Sequence, residues 1–207
     1  NRLGASALMQ GLSDGYFVIP YTMQNYLSDQ IQVPHIDTKA PEFDAAEKAV
    51  QAEIDRIYNI KGDESVDHIH KKLYHIMWDY VGMARNEAGL KKALAMLKDI
   101  RKEFNEHVRI PGDKEGLNTE LDKAIHLRDF ITMGELIAYD ALERKESCGG
   151  HFREESQTEE GEAKRDDENF MYVACWQYQG SDDVAPTLLK EPLDYQYIKV
   201  QVRNYKK

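Results

Sequence analysis

Between residues 41 and 147 apolar side chains return every three or four positions in four successive runs. That period leaves little room for anything but amphipathic helices packed face to face. In the first run Phe43, Ala46, Val50, Ile54 and Ile57 share a face, Pro41 suits the opening turn, Glu42 and Asp44 suit the positive end of the dipole, and Gly62 stops it. The second starts at the N-cap candidate Ser65 and aligns Ile69, Leu73, Ile76, Met77 and Tyr80, with Trp78 beside the stripe. The third follows Asn86 and aligns Leu90, Leu94, Leu97, Ile100 and Phe104. A "RIPGDKEG" loop leads to Asn118, which caps the longest helix, where Leu127, Ile131, Gly134, Ala138 and Ala141 step by three and four. Small residues at that spacing permit close helix approach. The pattern predicts an antiparallel helical bundle over residues 39–147.

On either side the character changes. Residues 3–31, "LGASALMQGLSDGYFVIPYTMQNYLSDQI", read as two short helices broken near Gly15 and Pro20. The following "QVPHIDTKAPEF" has two prolines and no periodicity, as a linker would. Beyond the bundle, "ESCGGHFREESQTEEGEAKRDDEN" is charged and almost devoid of aliphatic residues, which predicts an irregular segment held by ion pairs or by a neighbour. "FMYVACWQYQ" and "DYQYIKVQV" then alternate with period two and predict a pair of antiparallel strands, separated by "GSDDVAPTLLKEP". The expected fold is mainly α with a small two-stranded β element, divided into residues 1–38, 39–147 and 148–207.

The 27 basic side chains are interspersed among 37 acidic ones, and the net charge of −10 argues against DNA or RNA as a partner. No apolar run approaches the roughly 20 residues that span a bilayer, so direct membrane insertion is not expected. Cys148 and Cys175 are too few for a disulfide framework. His68, His70 and His75 are spaced by two and five, which does not put them on one helix face as metal ligands, and no metal site is expected. Cys148 and His151 lack a third group to orient a nucleophile and base. Neither a Walker loop nor G-x-G-x-x-G is present to cradle a pyrophosphate. Arg2 differs: a guanidinium just before the helix that begins near Ser6, with Gly4 and Ala5 leaving the backbone approachable, makes a corner suited to an anion such as a carboxylate.

Five segments carry a resemblance in the same order along the chain. "NRLGASAL" resembles NRLG(G/A)NSL of the flavoprotein subunit of succinate dehydrogenase and fumarate reductase. "MWDYVGMARNEAGLKKALAMLKDIRKEF" is similar to that family's MW…VG..R…GL..AL..L segment, and "LDKAIHLRDFITMGELIAYDALERKESCGGHFREE" to its L..A..L..M…AE….AL.R.ESRGAH.RED segment. "KRDDENF" resembles ERDDENW, and "VRNYKK" is similar to the family's terminal arginine and tyrosine.

The resemblance implies a C-terminal portion: the closing helices of an FAD-binding domain, a helical domain and a C-terminal domain. The histidine that carries FAD, the dinucleotide fold and the proton-shuttling arginine precede NRLG in that family, so no catalytic residue is expected within the chain and FAD is not expected to bind it alone. Arg2 matches the arginine that binds a carboxylate of succinate or fumarate. Its task would be to orient and polarise the dicarboxylate while hydride passes between substrate and flavin. Ala7 and Leu8 match the positions whose backbone meets the flavin. His151 and Arg153 match the histidine and arginine of ESRGAH.RED and are expected to give structural or flavin-proximal support, whereas Cys148 stands where that motif has arginine. The implied partners are an iron–sulfur subunit and, through it, a membrane anchor, with a cytoplasmic location on the inner face of the cytoplasmic membrane. Related flavoenzymes, L-aspartate oxidase and the flavoprotein subunit of adenylylsulfate reductase, are the alternative within the class. A non-enzymatic helical interaction module is the alternative outside it.

Overall fold

The computed structural model describes residues 5–114 and 116–201. The chain divides into two compact units, Asn1–Asp55 and Arg56–Lys207.

In the first unit α1 (Ala5–Ser13) runs through a five-residue π turn (Asp14–Val18) into α2 (Ile19–Leu27). Gly15 lies inside the π turn and Pro20 at the head of α2. The two residues that interrupt the sequence pattern therefore mark a change of helical winding, with Pro tolerated where its missing N–H has no acceptor to serve. Residues 28–40 carry the chain through turns to α3 (Pro41–Asn59). None of residues 7–55 is buried. This corrects one expectation: of the apolar stripe on α3 only Ile57 enters a core, while Phe43 is 51% and Val50 61% exposed.

The second unit explains why. Here β1 (Glu64–Ser65), α4 (Val66–Val81), α5 (Glu87–His107), β2 (Val108–Arg109) and α6 (Thr119–Glu143) follow one another. The apolar faces of α4, α5 and α6 meet, with Ile69, Leu90, Leu97, Phe104, Leu127 and Ile131 essentially inaccessible. Three mutually satisfied helices need only the last turn of α3. Their starts are fixed locally, as the caps predict. Ser65 accepts from the His68 N–H at 3.2 Å, Asn86 from Gly89 at 2.7 Å, and Asn118 from Glu120 and Leu121, both at 3.1 Å. The Asn118 amide also donates to the Pro111 and Asp113 carbonyls, tying down the loop before α6.

Two glycines permit close approach in different ways. A Cβ on Gly134 would sit 3.1 Å from the Met77 sulfur, the end of a flexible side chain. A Cβ on Gly62 would sit 2.0 Å from the His107 carbonyl oxygen, beside the parallel β1–β2 bridge that the Gly62 N–H extends by donating to Val108.

After α6 an irregular charged stretch leads to α7 (Asp167–Phe170) and to β3 (Tyr172–Gln177), which pairs antiparallel with β4 (Thr187–Pro192), Tyr172 opposite Pro192 and Gln177 opposite Thr187. The two-stranded element is where the sequence puts its first strand, but its partner is 187–192 and not 194–202. β4 is largely exposed, so nothing selects an alternating pattern in "TLLKEP", and the alternation in 194–200 accompanies no strand.

In urea denaturation Gly62→Ala is expected to lower stability by about 3 kcal/mol, since backbone must move to admit the methyl group. Gly134→Ala is expected to change it by no more than about 1 kcal/mol, the gain in helix propensity offsetting the displaced methionine. Equal losses at the two sites would contradict these packing assignments.

Candidate functional site

Arg2 lies outside the described residues. Ala7 and Leu8 fall in the opening turns of α1, Ala7 half-buried and Leu8 58% exposed. No acidic side chain lies in the first described turn of α1, and N–H groups at a helix start take their acceptors from outside the helix. This donor set, amide N–H beside an apolar side chain, fits the carbonyl-bearing pyrimidine edge of a flavin. It offers no grip on a pyrophosphate or an adenine, which would have to be held by other residues.

The second unit holds the remaining matched residues in a cluster that ties the irregular stretch to the helix ends. Arg153 is 2% exposed, and its guanidinium donates to the carbonyls of Ala141 at 2.8 Å and Leu142 at 3.2 Å, capping the C-terminal end of α6. Its Nε pairs with Glu155 at 3.1 Å, and its backbone exchanges hydrogen bonds with the buried Ser147 hydroxyl. Arg85 does the same for α4, donating through Nε to Val81 and Gly82 at 3.0 Å. Its backbone bonds Phe152 and Glu154 on either side of Arg153, a parallel bridge between distant parts of the chain. Orphan carbonyls and the negative end of the dipole are what a guanidinium withdrawn from water needs, so each arginine and helix end satisfies the other.

His151 sits between them. Its Nδ1 lies 2.9 Å from Arg85 Nη1 and its Nε2 2.8 Å from the Arg144 carbonyl. A guanidinium can only donate, so Nδ1 accepts and Nε2 carries the proton, which fixes the neutral Nε2–H tautomer. Burial lowers the pKa of the ring from its ordinary 6.5; the Arg144 carbonyl opposes the shift, and the Arg85 and Arg153 charges add to it. Cys148 meets His151 only through backbone, the two residues forming a two-bond antiparallel bridge around Gly149, which takes φ of 63°. Burial and the nearby Glu146 carboxylate raise the Cys148 thiol. A protonated thiol and a ring whose nitrogens are both engaged do not make a nucleophile and base. Arg144 completes the cluster, pairing with Glu146 at 2.8 Å and donating to the Phe170 and Tyr172 carbonyls.

Arg85, Arg144, Glu146 and Ser147 were not singled out by spacing. A cation immediately past a predicted helix end is the signal that could have found Arg85 and Arg144. The three histidines of α4 are not gathered: His70 contacts the Phe130 ring and His75 the Tyr74 ring, while His68 lies 3.6 Å from Glu64. Among the described residues no group of three or more His, Cys, Asp or Glu is placed to hold a metal ion.

The family model described as "Fumarate reductase flavoprotein C-term" matches residues 70–205. An uncharacterised FAD-dependent oxidoreductase of Methanocaldococcus jannaschii is 36% identical over 110 residues, 53% of this chain and 19% of its own length. The fumarate reductase flavoprotein subunit of Haemophilus influenzae is 25% identical over 171 residues, 83% of this chain and 26% of its own. Among solved structures, the FrdA chain of a mutant Escherichia coli quinol fumarate reductase has a TM-score of 0.65 at 25% identity, covering 81% of this chain and 27% of that one. The chain spans about a fifth to a quarter of the length of these relatives.

Because His151 binds a proton more readily unfolded than folded, it contributes stability that is present above pH 6.5 and is lost as pH falls through its lower folded pKa. Urea midpoints measured from about pH 8 to about pH 5 are expected to decline in that window for the parent, and His151→Gln is expected to flatten the decline. An unchanged slope in the variant would contradict the neutral tautomer.

Proposed function

The chain belongs to the fumarate reductase flavoprotein family, matching its C-terminal part, and we propose that it completes an FAD-dependent oxidoreductase that interconverts succinate and fumarate. The observation that carries this reading is the family match over residues 70–205, joined by NRLG at the other end of the chain. Exposure supports it: α1, the π turn and α2 are rich in apolar residues such as Leu8, Phe17 and Tyr26, yet none of residues 7–55 is buried. A further part of the protein covering them would remove that cost.

In this reading residues 1–38 close the FAD-binding domain, 39–147 form the helical domain and 148–207 the C-terminal domain. Arg2 holds a carboxylate of the substrate through two parallel hydrogen bonds and draws electron density toward it, so that the neighbouring C–C bond is polarised and fixed in place. The backbone N–H groups at the start of α1, around Ala7 and Leu8, hold the flavin's pyrimidine edge and favour negative charge there. FAD, when bound, supplies the acceptor or donor of hydride. His151 and Arg153 give structural support, by keeping the ends of α4 and α6 in place. Electrons pass on to an iron–sulfur subunit and through it to a membrane anchor, with the protein peripheral on the cytoplasmic face. Among the described residues no helix is long and apolar enough to cross a membrane.

In the full-length protein Arg2→Gln is expected to lower kcat/KM for fumarate and succinate by about 1,000-fold with FAD retained, as for loss of a charge-assisted contact to the reacting group. Activity within a few-fold of the parent would remove Arg2 from the substrate. Residues 1–207 alone are expected to show no flavin absorbance, and tightly bound FAD there would overturn the division of the cofactor site.

A further inference from the structure

A cleft of about 720 Å³ opens in the second unit between the stretch 144–172 and a strap of residues 193–201. Its volume is that of a small-molecule site. The inner wall carries two ion pairs, Arg144–Glu146 at 2.8 Å and Arg165–Asp167 at 2.5 Å, each closed on itself. Arg144 also lies over the Tyr172 ring, 4.9 Å from its centre. Among the described residues the strap is hydrogen-bonded at its ends: the Leu193 N–H donates to the Met171 carbonyl at 3.1 Å, and the Gln201 carbonyl accepts from Arg165 at 3.0 Å. Between those pins it forms no helix or strand and turns Tyr195, Ile198 and Lys199 to the cleft.

What remains unmatched defines the ligand. Among the residues that line the cleft the wall's four charges cancel in pairs and Lys199 is left over, with no ion pair or hydrogen bond among the described residues, while Asp194 of the strap does not line it. The surfaces beside it are aromatic and aliphatic. Cys148 lines the same cleft and is short, so the space in front of it stays open where the resembling ESRGAH motif has a long arginine.

We infer that this cleft binds a planar organic monoanion of the aromatic carboxylate class, its ring against Phe170 and Tyr195 and its carboxylate at Lys199. The strap closes on the ring, and Cys148 lies beneath it. The proposed site uses none of the residues assigned to the substrate or the flavin.

The test uses the full-length protein with 2-naphthoate as probe, read by calorimetry and by the rate at which iodoacetamide alkylates each cysteine. Naphthoate is expected to bind saturably and to slow alkylation of Cys148 at least about 5-fold while leaving the exposed Cys175 unchanged, as occlusion of one site demands. Lys199→Gln is expected to weaken binding about 10-fold or more, and the uncharged 2-naphthalenemethanol to bind correspondingly less, the loss of one charge-assisted contact. Cys148→Arg is expected to abolish binding by filling the cleft, and fumarate is expected not to protect Cys148. Failure of naphthoate to bind or protect at about 10 mM, equal binding of the uncharged analogue, or full affinity in Lys199→Gln would each overturn the proposal. None of these results bears on whether Arg2 holds the substrate.

Discussion

Guanidinium groups set against helix C-termini, that of Arg153 buried and those of Arg85 and Arg144 half-buried, are the interaction on which the second unit depends. Arg85 closes α4 and Arg153 closes α6, while Arg144 reaches from the end of α6 to the start of β3. Moving a charge out of water costs several kcal/mol unless hydrogen bonds replace its hydration. Here the replacements are carbonyls that no intrahelical N–H could have served, so two costs cancel each other. His151 bridges the arginines as a neutral ring, accepting from one and donating to the backbone of another. The stretch 145–166, which has almost no apolar side chains to bury, is ordered by this cluster and by Glu146, whose other oxygen accepts from the Asp166 N–H at 2.9 Å.

The helices that these arginines close were legible because their determinants are local. Periodicity named most of the buried faces of α4, α5 and α6, although Met77 and Tyr80 are only partly buried and Val66, Val81, Ala93 and Ala124 went unnamed, and Ser65, Asn86 and Asn118 cap where they stand in sequence. Misreadings arose where local pattern and three-dimensional setting part company. α3 has a stripe as regular as the others, but periodicity does not say whether a partner face exists, and Phe43 and Val50 stay exposed. β4 was missed because an exposed strand has no inside to write into the sequence, while 194–200 alternates without pairing. The role of His151 was illegible for a further reason: its decisive contact is with a residue 66 positions away.

The functional corner shows the complementary limit. Spacing alone points to Arg2 as a corner suited to an anion, and only the resemblance implies a dicarboxylate there. The structure adds that no acidic side chain lies in the first described turn of α1 and that Leu8 and the apolar residues after it are exposed. In the proposed arrangement N–H donors at that turn, and not the apolar surface around it, would favour negative charge on a reduced flavin.

The central claim is that α1 begins at the flavin and Arg2 at the substrate. A crystal structure of the full-length protein with FAD and a dicarboxylate inhibitor such as malonate tests it most directly. The account predicts the first turn of α1 against the pyrimidine edge of the flavin and the Arg2 guanidinium on an inhibitor carboxylate. An α1 that starts away from the flavin, or a carboxylate held without Arg2, would contradict it.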